Sequence, residues 1–423
     1  MKAAAHIQAV IELIDATLAR PHVPADQVFH SYCRSRRYMG SSDRRAITEI
    51  FYSVLRQWPM LEWLSPTING RLALLIYYCI ENTKSLDILF DGSEFGPSAI
   101  RAEEKKFLST LSVEKAPISA KVGAPLWLWP ELCVWGEETA RKLCESMQQQ
   151  APFDVRANPL KTSRQKLQEK FYKKNLLCSQ TAYSPLGLRF EKRVDLAQNT
   201  LFKEGLAEVQ DEGSQLVALL CDAKPGQRVM DFCAGAGGKS LVLAACMENK
   251  GTLFLADIHP WRLTKAQERL KRAGVHNYRC QVLPDNTFIK RQVGSFDRVL
   301  VDSPCSGTGT WRRNPDLKMK LTKDHLESLI QEQKTILQQA STLVRAGGML
   351  IYATCSVLRS ENQEQVENFL ANNKDFSLLD IQNLWDQTVG TPFPFTEKTL
   401  QLFPHSHKTD GFFVACLQKN EKA

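Results

Sequence analysis

Two cysteines in this chain stand where a thiol can do chemistry. Cys305 lies in Asp302-Ser303-Pro304-Cys305-Ser306-Gly307-Thr308-Gly309, and Cys355 lies in Tyr352-Ala353-Thr354-Cys355-Ser356. Each follows an apolar run of strand type, and the Pro, Gly and Ser residues around them make poor core. A thiol at the mouth of a strand can serve as a nucleophile once ionised, whereas one packed inside the strand cannot. The other cysteines read differently. Most sit in apolar segments (Cys79, Cys221, Cys246, Cys416), and no pair has C-x-x-C spacing. They are small hydrophobes of a reducing compartment, and no metal site is expected.

A second constellation precedes them. The apolar run ending at Asp231 leads into Phe232-Cys233-Ala234-Gly235-Ala236-Gly237-Gly238-Lys239-Ser240, with a helix pattern from about Leu241. Glycines let the backbone turn sharply and approach a ligand, and a helix start offers free N–H groups. Cys233, Ala234, Gly235, Gly237, Gly238 and Lys239 are therefore candidate cofactor contacts. A triphosphate loop would need glycine where Cys233 stands, which excludes that reading. The next strand ends at Asp257, 22 residues beyond Gly235, where an acid can accept ribose hydroxyls. The third ends near Asp285, placed to meet an adenine amine. Any one of these acids alone could be a helix cap. Three at successive strand ends suit a cationic, phosphate-free nucleoside such as S-adenosyl-L-methionine better than a dinucleotide.

The elements that must position these groups alternate. Buried strand patterns at 229–234, 252–258, 278–284, 296–304 and 348–356 are separated by helix patterns, which predicts a parallel sheet with crossover helices. Ligands bind beyond the carboxyl ends of such strands. The fourth and fifth strands are neighbours in the doubly wound order, about 4.8 Å apart, so both thiols reach one cleft. The first third reads as helices only. Ile47, Ile50, Phe51, Val54, Leu55 and Trp58 form one stripe, and Leu72, Leu75, Ile76, Cys79 and Ile80 form another. The expected fold class is multidomain: an all-α bundle over 1–135, a small basic α+β module over 136–208 and an α/β Rossmann-like domain over 209–423.

Charge supports a polyanionic partner. The formal balance of the whole chain is +8. Between Arg156 and Arg193, ten basic residues face only Glu169 and Glu191, so this module carries the excess. Lys170, Lys173 and Lys174 lie in its basic helix. A 43% apolar, 24% charged composition is that of a globular chain, and without a run of about 18 uncharged apolar residues no membrane insertion is expected. The expectation is a cytoplasmic monomer acting on RNA, with no membrane partner.

Together these motifs resemble the RsmB/NOP/Sun family of RNA cytosine-5 methyltransferases over roughly residues 200 to 417. The resemblance is carried by Asp231-x-Cys233-Ala234 with its Gly loop, Asp257-x-x-x-x-Arg262-Leu263, and Asp302-x-Pro304-Cys305-Ser306-Gly307-Thr308-Gly309 with Asn314-Pro315-Asp316. Thr354-Cys355-Ser356 with Glu361-Asn362, and Asp410-Gly411-Phe412-Phe413, complete it. The helical third is similar to the NusB-like RNA-binding extension of the bacterial branch. One departure stands out. The family usually reads Cys-Ala-Ala-Pro-Gly-Gly-Lys-Thr, whereas this chain has Cys-Ala-Gly-Ala-Gly-Gly-Lys-Ser. The paired glycines and the lysine are kept, so cofactor binding is expected to survive.

The resemblance implies methyl transfer to C5 of a cytosine, with small-subunit ribosomal RNA as substrate. Cytosine C5 is a poor nucleophile until a thiolate adds to C6. The resemblance assigns Cys355 as that nucleophile and Cys305 to product release; spacing alone leaves the two interchangeable. It places Asp302 at the protonated ring N3, Lys239 at the base, and Arg262 and Asp302 among the cofactor contacts. A free thiol ionises near about 8.5, so the attacking cysteine needs a cation beside it, and Lys239 is the candidate. Transfer RNA is an alternative substrate. A non-catalytic RNA-binding assembly factor is an alternative of another class. Adenine amino-group methylation would expect Asn/Asp-Pro-Pro-aromatic where Asp302-Ser303-Pro304-Cys305 stands, and Cys305 argues against it.

Overall fold

A computed structural model describes residues 1–82, 85–196 and 198–421. The chain divides into two units, Met1–Gln150 with Thr310–Lys323, and Ala151–Gly309 with Asp324–Ala423.

The first unit is helical. Its core is built by the apolar faces of helices Ala3–Leu18, Ala25–Ser35, Ser41–Arg56, Trp58–Leu64 and Gly70–Glu81. Ile7, Val10, Leu13, Ile14, Ile47, Phe51, Val54 and Leu74 are all almost fully buried there. Asn69 starts the helix Gly70–Glu81 by accepting the Leu72 amide at 2.9 Å, the usual role of a short polar side chain at a helix start. Leu72, Cys79 and Ile80 are only half-buried, and the buried face runs through Ala73, Leu74, Leu75, Ile76 and Tyr78 instead. Helix Glu137–Met147 also belongs to this unit, so the units part at Gln150 and not at 135.

Segment Thr310–Lys323 returns to the helical unit from far along the chain. Buried Asp316 accepts the Ala25 amide at 3.1 Å and the Lys320 ammonium at 2.6 Å. Lys320 also donates to the Val23 carbonyl at 2.7 Å. The polar Asn314-Pro315-Asp316 motif is thus absorbed by packing against residues almost three hundred positions earlier.

The second unit holds two sheets. The smaller comprises β1 (Phe153–Ala157), β2 (Cys178–Gln180), β3 (Gly187–Phe190) and β4 (Ala207–Val209), in the order β2-β3-β1-β4 with every pairing antiparallel. Helix Arg164–Tyr172 packs on it through Leu167 and Phe171, and Ser163 caps its start. Four of the module's ten basic residues are engaged within the fold: Lys161 donates to the Glu204 and Arg272 carbonyls at 2.7 Å each, and Arg164 to the Ser184 carbonyl at 2.9 Å. Arg156 is 2% exposed and donates to Gln210, while Arg189 pairs with the buried Asp154 at 2.7 Å. The polyanion-facing charge is therefore smaller than the count suggested; Lys166, Lys170, Lys173, Lys174, Lys192 and Arg193 remain exposed.

The larger sheet comprises β5 (Arg228–Asp231), β6 (Thr252–Asp257), β7 (Tyr278–Val282), β8 (Phe296–Asp302), β9 (Val344–Thr354), β10 (Phe376–Leu378), β11 (Leu400–Leu402) and β12 (Phe412–Lys419). Its order is β10-β12-β9-β8-β5-β6-β7, with β11 paired to β12. The five expected strands form its parallel centre. It is not wholly parallel: β12 runs antiparallel to β9, and β10 and β11 run antiparallel to β12. A strand that joins a sheet antiparallel needs no crossover helix, so β12 left no alternation to read. Cores of aliphatic and aromatic residues fill both faces of this sheet.

Candidate active site

Strand register sets the two thiols. Asp302, the last residue of β8, lies opposite Ala353 of β9. Cys305 follows three residues beyond the first and Cys355 two beyond the second, and their sulfur atoms lie 3.4 Å apart. The hydrogen bond with Cys355, and burial after it, push the Cys305 thiol well above its ordinary range.

The loops carrying these thiols are tied to each other. The Gly309 amide donates to the Cys355 carbonyl at 2.9 Å, and the Gly411 amide donates to the Gly309 carbonyl at 2.8 Å. A Cβ on Gly309 would sit 2.2 Å from the Gly411 carbonyl oxygen, so only glycine permits this approach. Fully buried Glu361 accepts both the amide of Ser306 (2.8 Å) and its hydroxyl (2.5 Å). Asn362 donates to the Ser356 carbonyl at 3.0 Å. Glu361 and Asn362 thereby fix the Cys305 and Cys355 loops respectively.

Gln333 is a structural partner that the sequence reading missed. It is fully buried and donates to Glu361 at 2.9 Å and to the Pro304 carbonyl at 3.0 Å. A signal was available: Gln333 occupies the apolar stripe of helix Lys323–Leu343, in step with Leu326, Leu329, Leu337 and Ala340. A polar residue in such a register has a buried partner to satisfy.

Lys239 and Asp302 meet directly, Nζ to Oδ2 at 2.5 Å. Burial pulls the Lys239 ammonium down, but the charge and hydrogen bond of Asp302 outweigh it and the net shift is upward, with Cys355 also favouring the charged form. Lys239 is thus a buried cation held in its charged form by Asp302. Its Nζ also lies 5.4 Å from the centre of the Phe412 ring, a cation–π contact.

The Gly loop follows β5. Gly235 (φ +53°) and Gly237 (φ +75°) adopt left-handed backbone, and Gly238 opens the helix Gly238–Cys246. The Gly235 amide donates to Asp257 Oδ2 at 2.9 Å, and the His259 amide donates to Oδ1 at 2.8 Å. Asp257 therefore clamps the loop to the end of β6 while keeping lone pairs free on both oxygens. Arg262 lies 3.8 Å from the same carboxylate. Ala234 is buried and donates its amide to Ala256, and burial holds the Cys233 thiol strongly protonated. Asp285 caps the helix Asn286–Arg291 through the Phe288 amide at 2.9 Å and accepts from Gln281 at 3.1 Å.

Asp231 has a larger part than its place in the motif suggested. Its Oδ2 accepts the Ser240 hydroxyl at 2.6 Å, while Oδ1 is buried with no hydrogen-bond partner among the described residues. Burial raises this carboxyl to about 7, offset in part by Ser240. A buried acid with a spare oxygen suits a cationic ligand. Beside it, a Cβ on Gly235 would meet nothing within 4 Å. Space and charge here fit the cationic nucleoside inferred from the sequence. Among the described residues no group of three or more His, Cys, Asp or Glu could hold a metal ion.

A Gly loop after the first central strand, acids at three strand ends and an antiparallel strand beside β9 define the Rossmann-like fold of methyltransferases. Residues 218–418 match the family described as 16S rRNA methyltransferase RsmB/F, and residues 124–197 match the ferredoxin-like domain of RsmF/B-like methyltransferases. The probable ribosomal RNA small subunit methyltransferase B of Synechocystis sp. is 34% identical over 325 residues, covering 75% of this chain and 72% of that one. Its namesake from Bacillus subtilis is 28% identical over 418 residues, covering 90% and 92%. The crystal structure of PH0851 superposes with a TM-score of 0.79 at 23% identity, covering 99% of both chains. The chain belongs to the RsmB/F family of methyltransferases.

Proposed function

We propose that this protein methylates C5 of a cytosine in RNA, the substrate being small-subunit ribosomal RNA and the methyl donor S-adenosyl-L-methionine. The observation that carries the reading is the pair of sulfurs 3.4 Å apart at the strand end that also holds the Lys239–Asp302 ion pair. A methyltransferase acting on an exocyclic amine has no use for a thiol at the reacting atom. The names of the relatives support ribosomal RNA as the substrate class.

In this reading Cys355 Sγ, as thiolate beside the Lys239 ammonium, adds to C6, and the ring N3 is held protonated by Asp302. Electron density moves to C5, which becomes nucleophilic. When bound, S-adenosylmethionine supplies an electrophilic methyl group to that carbon. A base then takes the C5 proton, the C6–S bond breaks so that Cys355 leaves as thiolate, and the ring is restored. Cys305, its sulfur 3.4 Å from that of Cys355, serves this release as that base in its thiolate form, once Cys355 is bonded to C6 and no longer shares a hydrogen bond with it. Asp231, Asp257, Asp285, Arg262 and the Gly loop would hold the donor. The test is bisulfite sequencing of ribosomal RNA incubated with the protein and S-adenosylmethionine. One newly protected cytosine is expected; methylated adenine with no protected cytosine overturns the reading.

A further inference from the structure

One corner of the helical unit concentrates positive charge that its carboxylates offset only in part. Helices Ala25–Ser35 and Ser41–Arg56, with the turn between them, place Arg34, Arg36, Arg37, Arg44 and Arg45 within twelve residues that contain one acid, Asp43. Of the neighbouring carboxylates, Glu12 offsets Arg36 alone and Asp43 is held by other groups. Glu12 accepts the Tyr32 hydroxyl at 2.8 Å and the Arg36 guanidinium at 2.9 Å, and Arg36 stacks 3.7 Å over the Tyr32 ring. Asp43 accepts His6 Nε2 at 2.9 Å and the Gly40 amide at 3.2 Å.

Arg34, Arg37, Arg44 and Arg45 are exposed, and among the described residues none of them forms an ion pair. Arg44 spends only its Nε, on the Met39 carbonyl at 3.2 Å. Both Arg36 and Arg44 lie close enough to the Cys33 thiol to act on its ionisation, which brings the two helices into one patch. In the turn, Tyr38 is 71% exposed. An aromatic ring left in water among uncompensated guanidinium groups has the makings of a surface that tracks a phosphate backbone and stacks an unpaired base. A membrane-binding helix would set its cations beside an apolar stripe; here the exposed neighbours are His30, Ser31, Ser35, Ser41 and Ser42.

We propose that this corner is an RNA-docking surface, with phosphates at Arg34, Arg37, Arg44 and Arg45 and an unpaired base on Tyr38. The proposal rests on the reading of the substrate as RNA and names where the helical unit would hold it. It is separate from the basic helix Arg164–Tyr172 of the other unit.

The test uses the full chain and a small-subunit ribosomal RNA fragment with unpaired loops, titrated at several salt concentrations. Arg37→Gln/Arg45→Gln should weaken binding at least fivefold and flatten the log–log salt slope by about 1.4, at ~0.7 per single-strand contact. Tyr38→Ala should weaken binding to unpaired RNA at least fivefold and leave duplex RNA unaffected, and Tyr38→Phe should restore it. S-adenosylmethionine affinity and thermal midpoint serve as folding controls and should not move. An unchanged affinity and slope in the double variant, with RNA binding intact in the parent, overturns the docking surface alone. A parent protein that binds no RNA overturns the reading it rests on. Parent binding to phosphatidylserine vesicles that the double variant loses, with RNA binding kept, reassigns the patch to a membrane and overturns the proposal.

Discussion

Lys239 and Asp302 form an ion pair, Nζ to Oδ2 at 2.5 Å, with the lysine buried and the aspartate half-buried, at the junction of the Gly loop and the end of β8. In the sequence they are separate candidates, one for the base and one for its ring nitrogen; in the fold each holds the other. Their pairing keeps a cation at this strand end without leaving it isolated in a poorly solvated site.

The first prediction follows from that pairing. Asp302→Asn leaves the Lys239 charge buried without its counter-ion. For a wholly buried pair the cost is about 3–5 kcal/mol. Asp302 keeps 31% of its side-chain surface exposed, so about 2 kcal/mol is expected here. Urea denaturation should find this loss in Asp302→Asn and a much smaller one in Asp302→Asn/Lys239→Met. Equal losses in both would mean that the pair is not what stabilises this corner.

A pH prediction belongs to Asp231. Folded, its carboxyl holds a proton up to about 7 because it is buried; unfolded, it ionises near about 4. The folded state therefore binds more protons than the unfolded state between these values. Stability should fall as pH rises across that window and level off above 7. The contribution is about 3–4 kcal/mol at most. Comparing urea midpoints of the parent and Asp231→Asn from pH 4.5 to 8 isolates it: the difference between the two should change with pH, and a constant difference would contradict the shift.

Cofactor affinity provides the third. Asp257 both clamps the Gly235 and His259 amides and keeps lone pairs free, so Asp257→Ala should reduce S-adenosylmethionine affinity at least tenfold by calorimetry. Asp285 is chiefly a helix cap. Asp285→Ala should cost about 1 kcal/mol of stability and only a few-fold in affinity. The reverse ranking would move the nucleoside away from β6.

The fourth concerns Lys170, Lys173 and Lys174. These three are exposed in the basic module, unlike Arg156 and Arg189. Neutralising them together should flatten the salt dependence of RNA binding by a slope of up to about 2, without changing S-adenosylmethionine affinity. An unaltered slope would make them a solvated helix face.

Much of this site was legible because its parts are local. A strand-end acid, a Gly loop and a cysteine after an apolar run are each a few residues long, and their order along the chain mirrors their order across the sheet. What escaped the reading depends on partners distant in sequence. Arg156 and Arg189 count as charge until Gln210 and Asp154 are seen against them. Asp316 is only a motif position until the Ala25 amide, 291 positions away, meets it. Strand β12 was hidden because Asp410-Gly411-Phe412-Phe413 reads as a motif, although Phe412–Lys419 is an apolar run of strand length. Gln333 was hidden in the apolar stripe of its helix.

The division of labour between Cys355 and Cys305 is the centre of the proposed mechanism, and denaturing gels with labelled RNA and S-adenosylmethionine test it most directly. If Cys355 adds to C6 and Cys305 assists release, Cys305→Ala should accumulate a denaturant-stable protein–RNA adduct. Cys355→Ala and the double variant should form none, and Cys355→Ala should transfer no methyl group. An adduct in Cys355→Ala that disappears when Cys305 is also replaced would contradict the assignment and make Cys305 the nucleophile.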